Sequence, residues 1–113
     1  MLYITRIEIK GLMNLKEQNI LNAEHFGRDR QLQQAIEECS ELIQAISKYN
    51  RLLNGEYTGK DKKIIANLIE ELADVEICIE QLKHFLEISD AKIENVKKYK
   101  INRTTNIIDG LVK

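Results

Sequence analysis

Two stretches of this chain carry acids at a spacing that could do chemistry. Ile36-Glu37-Glu38-Cys39-Ser40-Glu41-Leu42 is echoed by Ile69-Glu70-Glu71-Leu72-Ala73-Asp74-Val75. On a helical wheel, Glu38 points between Leu42 and Ala45, and Glu71 between Val75 and Cys78. Glu41 and Asp74 follow one turn along the same side. Glu37 and Glu70 point away from the apolar face and are expected to be solvated. Each segment therefore offers a Glu-x-x-acid pair at the margin of its apolar face. Packing the two faces together brings Glu38, Glu41, Glu71 and Asp74 to one edge. Carboxylates so placed repel by about 4 kcal/mol per pair at ~4 Å and an effective dielectric of ~20. No basic residue lies within either motif to relieve this. Protonation or a divalent cation would, and an all-oxygen ligand set suits Mg²⁺ or Mn²⁺ rather than Zn²⁺. Spacing alone leaves a metal site and a solvated acidic face both open.

Other metal chemistries fit less well. A di-iron carboxylate bundle needs Glu-x-x-His on two helices, but His25 follows Asn22 at that offset and His84 follows Gln81. Cys39 and Cys78 stand alone, on or beside apolar stripes. They are expected to be core thiols in a reducing compartment. Basic residues gather after the second acidic motif: Lys83, Lys92, Lys97, Lys98, Lys100 and Arg103. Any single lysine reads plainly as solvated surface. The sharper reading is a polyphosphate held between carboxylate-bound metal and cations. Lys100 and Arg103, at i and i+3, share a face and form the best pair, with Lys48 a further candidate. A Gly-x-x-x-x-Gly-Lys-Ser/Thr loop is absent, so such chemistry would be built on helices and metal.

The elements that must position these residues are helical. Leu32, Ile36, Cys39, Ile43 and Ile46 recur at helical steps within 30–53, and Ile65, Leu68, Leu72, Val75, Ile79 and Leu82 do so after Asp61. These two stripes are the expected core. Asn54 to Gly59 breaks the pattern as a loop. Asn14 can cap a helix that Gly27 ends, Asp61 can cap the second acidic helix to about Leu86, and Ser89 or Asp90 a last helix to about Arg103. The β-branched run Tyr3–Ile9 reads as a short strand or a loose segment. Residues 1–13 are thus expected to be an extension, 14–103 a helical domain, and 104–113 a tail. The class is all-α, a four-helix bundle-like arrangement. Two copies of an acidic motif are too few for a helical-repeat solenoid.

The composition agrees. At 113 residues there is one core's worth of chain. Apolar residues at 43% and charged ones at 31% place it among globular proteins. Seventeen basic against eighteen acidic residues argue against a general nucleic-acid binder. No apolar run approaches a membrane span, and no signal-peptide pattern opens the sequence. A cytoplasmic location is expected.

The acidic pair of motifs, Glu38-x-x-Glu41 then Glu71-x-x-Asp74, resembles the MazG-like all-alpha nucleoside triphosphate pyrophosphohydrolases. The likeness extends to His25-Phe26-Gly27, Gln31-Leu32, Ala35-Ile36-Glu37-Glu38 and Tyr99-Lys100-x-x-Arg103, and spans roughly residues 14–103. Many of that family carry a basic residue where Gln34 stands, and residues 1–12 have no counterpart in it. The resemblance implies Mg²⁺-dependent (or Mn²⁺-dependent) cleavage of an NTP or dNTP to a nucleoside monophosphate and pyrophosphate. Glu38, Glu41, Glu71 and Asp74 would hold metal, with Glu38 or Glu41 as general base. Lys100, Arg103 and Lys48 would face the phosphates, and Gln31, near Glu38 on the wheel, the nucleotide. It also implies a homodimer or homotetramer sharing helices across its interface, and Glu76, pointing into the apolar stripe, wants such a partner. The competing class is a catalytically idle helical module for partner binding or nucleotide sensing, its acids structural.

Overall fold

Short polar side chains start most of the helices. Thr5 Oγ1 accepts from the Glu8 N–H at 3.1 Å while the Thr5 N–H donates to Glu8 Oε2 at 2.8 Å, a reciprocal capping box. It opens α1, Arg6–Leu12, in the computed structural model of the protein, which describes residues 5–110. The expected strand over Tyr3–Ile9 is therefore corrected to a helix from Arg6 onward; Tyr3 and Ile4 lie outside the described residues. Asn14 Oδ1 accepts from the Glu17 N–H at 2.8 Å and starts α2, Leu15–Phe26, as the sequence suggested. Gly27 ends α2 and opens α3, Arg28–Leu53. A turn from Asn54 to Lys60 leads to α4, Asp61–Phe85, in which Asp61 is the first helical residue rather than the cap. Ser89 accepts from the Lys92 N–H and starts α5, Asp90–Ile108. That helix continues past Arg103 into the expected tail, where the Thr104 hydroxyl bonds back to the Lys100 carbonyl at 3.1 Å. Five helices replace the four read from sequence, and no strand occurs among the described residues.

The chain divides into two units, one ending at Leu82 and the other beginning at Lys83. In the first, α3 and α4 run antiparallel, as the bond between Gln31 and Gln81 and the approach of Glu38 to Asp74 require. Asn19 on α2 reaches the Ile77 carbonyl of α4. The inward positions are small: Ala23, Ala35, Ala45, Val75 and Cys78 are the buried apolar residues among those described. Small side chains let helix axes approach closely.

The expected core stripe of α3 lies on the other face. Ile36 is 63% exposed and Ile43 68%, with Ile46 and Cys39 exposed as well. The inner face of α3 is instead Gln31, Ala35, Leu42 and Ala45. On α4 the expected stripe splits: Val75 is buried, while Ile65, Leu72 and Ile79 are exposed beside Ile69. Periodicity found the apolar faces but not which one the chain covers by itself.

The second unit is the end of α4 and α5. Its turn puts Glu87 at φ 54°, and the Ile88 N–H closes on the Lys83 carbonyl at 2.9 Å, a helix end that favours glycine. Lys83 Nζ pairs with Asp90 at 2.8 Å.

Gly27, at φ 91° and ψ 159°, occupies backbone space closed to other residues, although an added Cβ would meet nothing within 4 Å. Gly27→Ala should therefore cost conformational strain alone, about 1–3 kcal/mol. The urea midpoint measures it, and an unchanged midpoint would show that the α2–α3 junction adopts another conformation.

Candidate metal centre

Glu38 sits one turn after Ala35 and one before Leu42, on the face of α3 turned to α4. Glu71 and Asp74 occupy the matching positions of α4, next to buried Val75 and Cys78. Small neighbours and antiparallel pairing carry the carboxyl groups to one point. One ligand oxygen each from Glu38, Glu71 and Asp74 falls within 4.8 Å of the others. Glu41 is exposed one turn beyond Glu38 on α3, near enough for its charge to raise the pKa of Glu71. Three of the four acids singled out by spacing thus converge, and Glu41 lies outside that group of three. Glu37 and Glu70 are exposed, as expected.

The electrostatics are unfavourable as they stand. Gln34 Nε2 donates to Glu38 Oε1 at 2.7 Å. Oε2 of Glu38 and Oε2 of Glu71 are closed to solvent and have no hydrogen-bond partner. Desolvation raises the pKa of Glu38; Gln34 opposes this, and Asp74 and Glu41 add to it. Glu71 is raised too, first by desolvation and then by Glu41, Asp74 and Glu38. No cation contributes to either. Burial, then the charges of Glu38, Cys39 and Asp74, push the Cys78 thiol up to about 11. It is a neutral packing group at ordinary pH, not a thiolate ligand. Cys39, expected in the core, is exposed.

These donors fit a hard divalent cation. Buried acceptors without donors cost desolvation energy, and converging carboxylate oxygens are the ligands that Mg²⁺ takes. Gln34 is the contributor that sequence reasoning missed. Its signal was there: a residue at i−4 from Glu38 faces it on a helix.

A second polar group lies two turns away, about 10 Å along the helices. Gln31 Nε2 donates to Gln81 Oε1 at 2.8 Å, Gln81 Nε2 to Asn19 Oδ1 at 2.7 Å, and Asn19 Nδ2 to the Ile77 carbonyl and to Glu80 Oε1 at 3.0 Å. Gln31 is 9% exposed and Gln81 6%. The far end of this relay only accepts, and that fixes the orientation of every amide in it. The Gln31 carbonyl oxygen is left outside the chain of bonds. Gln31 also lines an open cavity of 620 Å³ together with Phe26, Asn22, Ala73 and Gln81. Glu76 stands exposed on the wall of this cavity. Gln81 and Asn19 were not legible as partners of Gln31, because they lie on other helices.

Lys48 is exposed, two turns beyond Glu41 on α3. Lys100 and Arg103 belong to the second unit, exposed on α5, with the Arg103 guanidinium 6.0 Å from the centre of the Tyr99 ring. Compared with family models, curated proteins and solved structures, the chain matches none.

The raised carboxyls set a pH dependence. In metal-free protein the folded state holds protons on Glu38 and Glu71 above the ordinary value of 4.5, where the unfolded chain releases them. Their contribution to stability is therefore fully present below that value and is lost as pH climbs through the raised pKa values. Glu38→Gln and Glu71→Gln should each flatten the decline in melts run with a chelator. A pH dependence that is the same in the wild type and in both variants would mean that the acids are solvated.

Proposed function

We propose that the protein is a Mg²⁺-dependent nucleoside triphosphate pyrophosphohydrolase, with Mn²⁺ able to substitute, acting on NTP or dNTP in a cytoplasmic setting. The observation that carries this reading is the pair of solvent-excluded, unpartnered oxygens on Glu38 and Glu71 within the carboxylate group. Glu38, Glu71 and Asp74 hold the ion, with Glu41 at the rim. When bound, Mg²⁺ supplies positive charge against phosphate oxygens and lowers the pKa of a water.

The residues divide the remaining work. In the reaction a water oxygen bonds to the α-phosphorus, the α–β anhydride bond breaks, and pyrophosphate leaves with that electron pair. Glu41 takes the water's proton, because it is exposed to the incoming water. Glu38 is less free, with one oxygen bonded to Gln34 and the other directed into the group. Lys48 offsets charge on the leaving phosphates, a role the family resemblance also implies for Lys100 and Arg103. Gln31, through its free carbonyl oxygen, accepts from an N–H of the nucleotide. The aliphatic faces left open on α3 and α4, Ile36, Ile43 and Ile46 with Ile65, Ile69 and Leu72, close in a homodimer or homotetramer that completes a helical bundle.

Purified protein with Mg²⁺ and a panel of ribo- and deoxynucleoside triphosphates tests the reading. Ion-pair chromatography should show monophosphate and pyrophosphate without a diphosphate intermediate. Glu41→Gln should slow turnover by about 10²–10⁴-fold, and Glu38→Gln should abolish it. No turnover with either metal would favour the idle module. Saturating Mg²⁺, at roughly a hundred times its Kd, should stabilise the wild type by about 2.7 kcal/mol and leave Glu71→Ala unmoved; equal shifts in both would sink the metal site. Separately, Ile43→Glu should reduce the mass seen by sedimentation, and a wild type that sediments as a monomer would overturn the oligomer.

A further inference from the structure

At the hairpin end of the first unit lies a second cavity, of 270 Å³, lined by Lys48, Tyr57, Lys60, Lys63, Ile64 and Asn67. Its lining is basic in a chain whose net charge is −1. Three exposed lysines line it, and none of them has a carboxylate partner among the described residues. The neighbouring arginine is already committed: Arg51 donates to the Tyr57 hydroxyl at 2.8 Å and lies 3.8 Å from Glu56. That bond braces Tyr57, whose backbone stands at φ 57°, as one wall of the cavity. Like charges gathered without counter-ions repel, so the cavity is arranged for an anion it does not itself contain.

Its position says which anion. Lys48 lies two turns after Glu41 on α3 and on the same side of that helix. Asn67 lies one turn before Glu71 on α4, and Lys63 about two turns before it. The cavity is therefore in line with the carboxylate group, about 10 Å toward the α3–α4 turn, and long lysine stems reach across much of that gap. The buried amides lie the same distance away on the opposite side. Ammonium groups act as compact charges that suit phosphate oxygens, and several around one cavity suit more than one phosphate.

We propose that Lys48, Lys60 and Lys63 bind the terminal phosphates of an oligophosphate. The site extends the carboxylate group toward the turn, and this direction rests on the pyrophosphohydrolase reading, whereas the anion site itself does not. Bound this way, a triphosphate runs from the carboxylates toward Lys60 and Lys63, and the departing pyrophosphate remains in contact with the lysines.

Titration calorimetry with inorganic tripolyphosphate, pyrophosphate and monophosphate, in a chelator so that no metal bridges to the acids, isolates the cavity. Tripolyphosphate should bind best, monophosphate least, and added salt should weaken all three. Lys60→Glu/Lys63→Glu changes exposed side chains and should keep the helical circular dichroism while weakening tripolyphosphate roughly tenfold per lysine. Lys97→Glu/Lys98→Glu on α5, with the same charge change, should leave binding within a factor of about two. No binding to the wild type, equal binding by Lys60→Glu/Lys63→Glu, or equal loss in the α5 control would each overturn the site. Binding without nucleotide turnover would keep the site and reject the enzyme reading. Turnover with an unchanged KM in Lys60→Glu/Lys63→Glu would keep the enzyme and overturn the placement of the substrate's terminal phosphates at these lysines.

Discussion

Two carboxylate oxygens, one on Glu38 and one on Glu71, are shut away from water with nothing to bond to. Much of the first unit is arranged so that this happens. Ala35 and Ala45 keep the inner face of α3 low, and Val75 and Cys78 do the same on α4, so the acids meet over small side chains. Gln34 ties down the other oxygen of Glu38 and so holds the carboxyl toward the group. An isolated buried carboxylate would be among the most expensive features a small protein could carry. Here a half-exposed cluster with raised pKa values is the compromise between burial and charge.

The acids were legible in the sequence because their signal is local. A Glu-x-x-acid pair on each of two helices needs only the 100° wheel and an antiparallel pairing. Asn14, Gly27 and Ser89 were legible for the same reason, since caps act within one turn. The N-terminal helix was misread because Tyr3–Ile9 is rich in β-branched residues. Yet β-branching weakens a helix only by tenths of a kcal/mol per residue, and Thr5-x-x-Glu8 is a capping box that outweighs it. The core stripe failed for a non-local reason. Ile36, Ile43 and Ile46 make the more hydrophobic face of α3, but the face it turns inward carries Ala35, Leu42 and Ala45. Hydropathy ranks faces by transfer energy, and it does not see which one a neighbouring helix can approach. Gln31, Asn19 and Gln81 were out of reach too, because a hydrogen-bonded relay across three helices has no sequence period.

Along the α3–α4 pair the polar character changes in zones: neutral amides at Gln31 and Gln81, acids at Glu38 and Asp74, lysines at Lys48 and Lys63. The amides lie about two turns from the acids and the lysines about three turns beyond them, in the same order on both helices. That order matches an elongated molecule with a neutral hydrogen-bonding end and a polyanionic end. The zones follow one another along helices that a chain without proline keeps unbroken.

The relay and the acid cluster also fix how α3 and α4 are registered, since Gln31 meets Gln81 while Glu38 meets Asp74. This has a consequence for how the chain can change length. Residues added or lost in the turn between Asn54 and Lys60 leave both meetings intact, because the turn contributes to neither. A single residue deleted between Gln31 and Glu38, or between Asp74 and Gln81, would rotate one zone by about 100° against the other. Drift in length is therefore tolerable at the hairpin tip and forbidden along those seven-residue rungs.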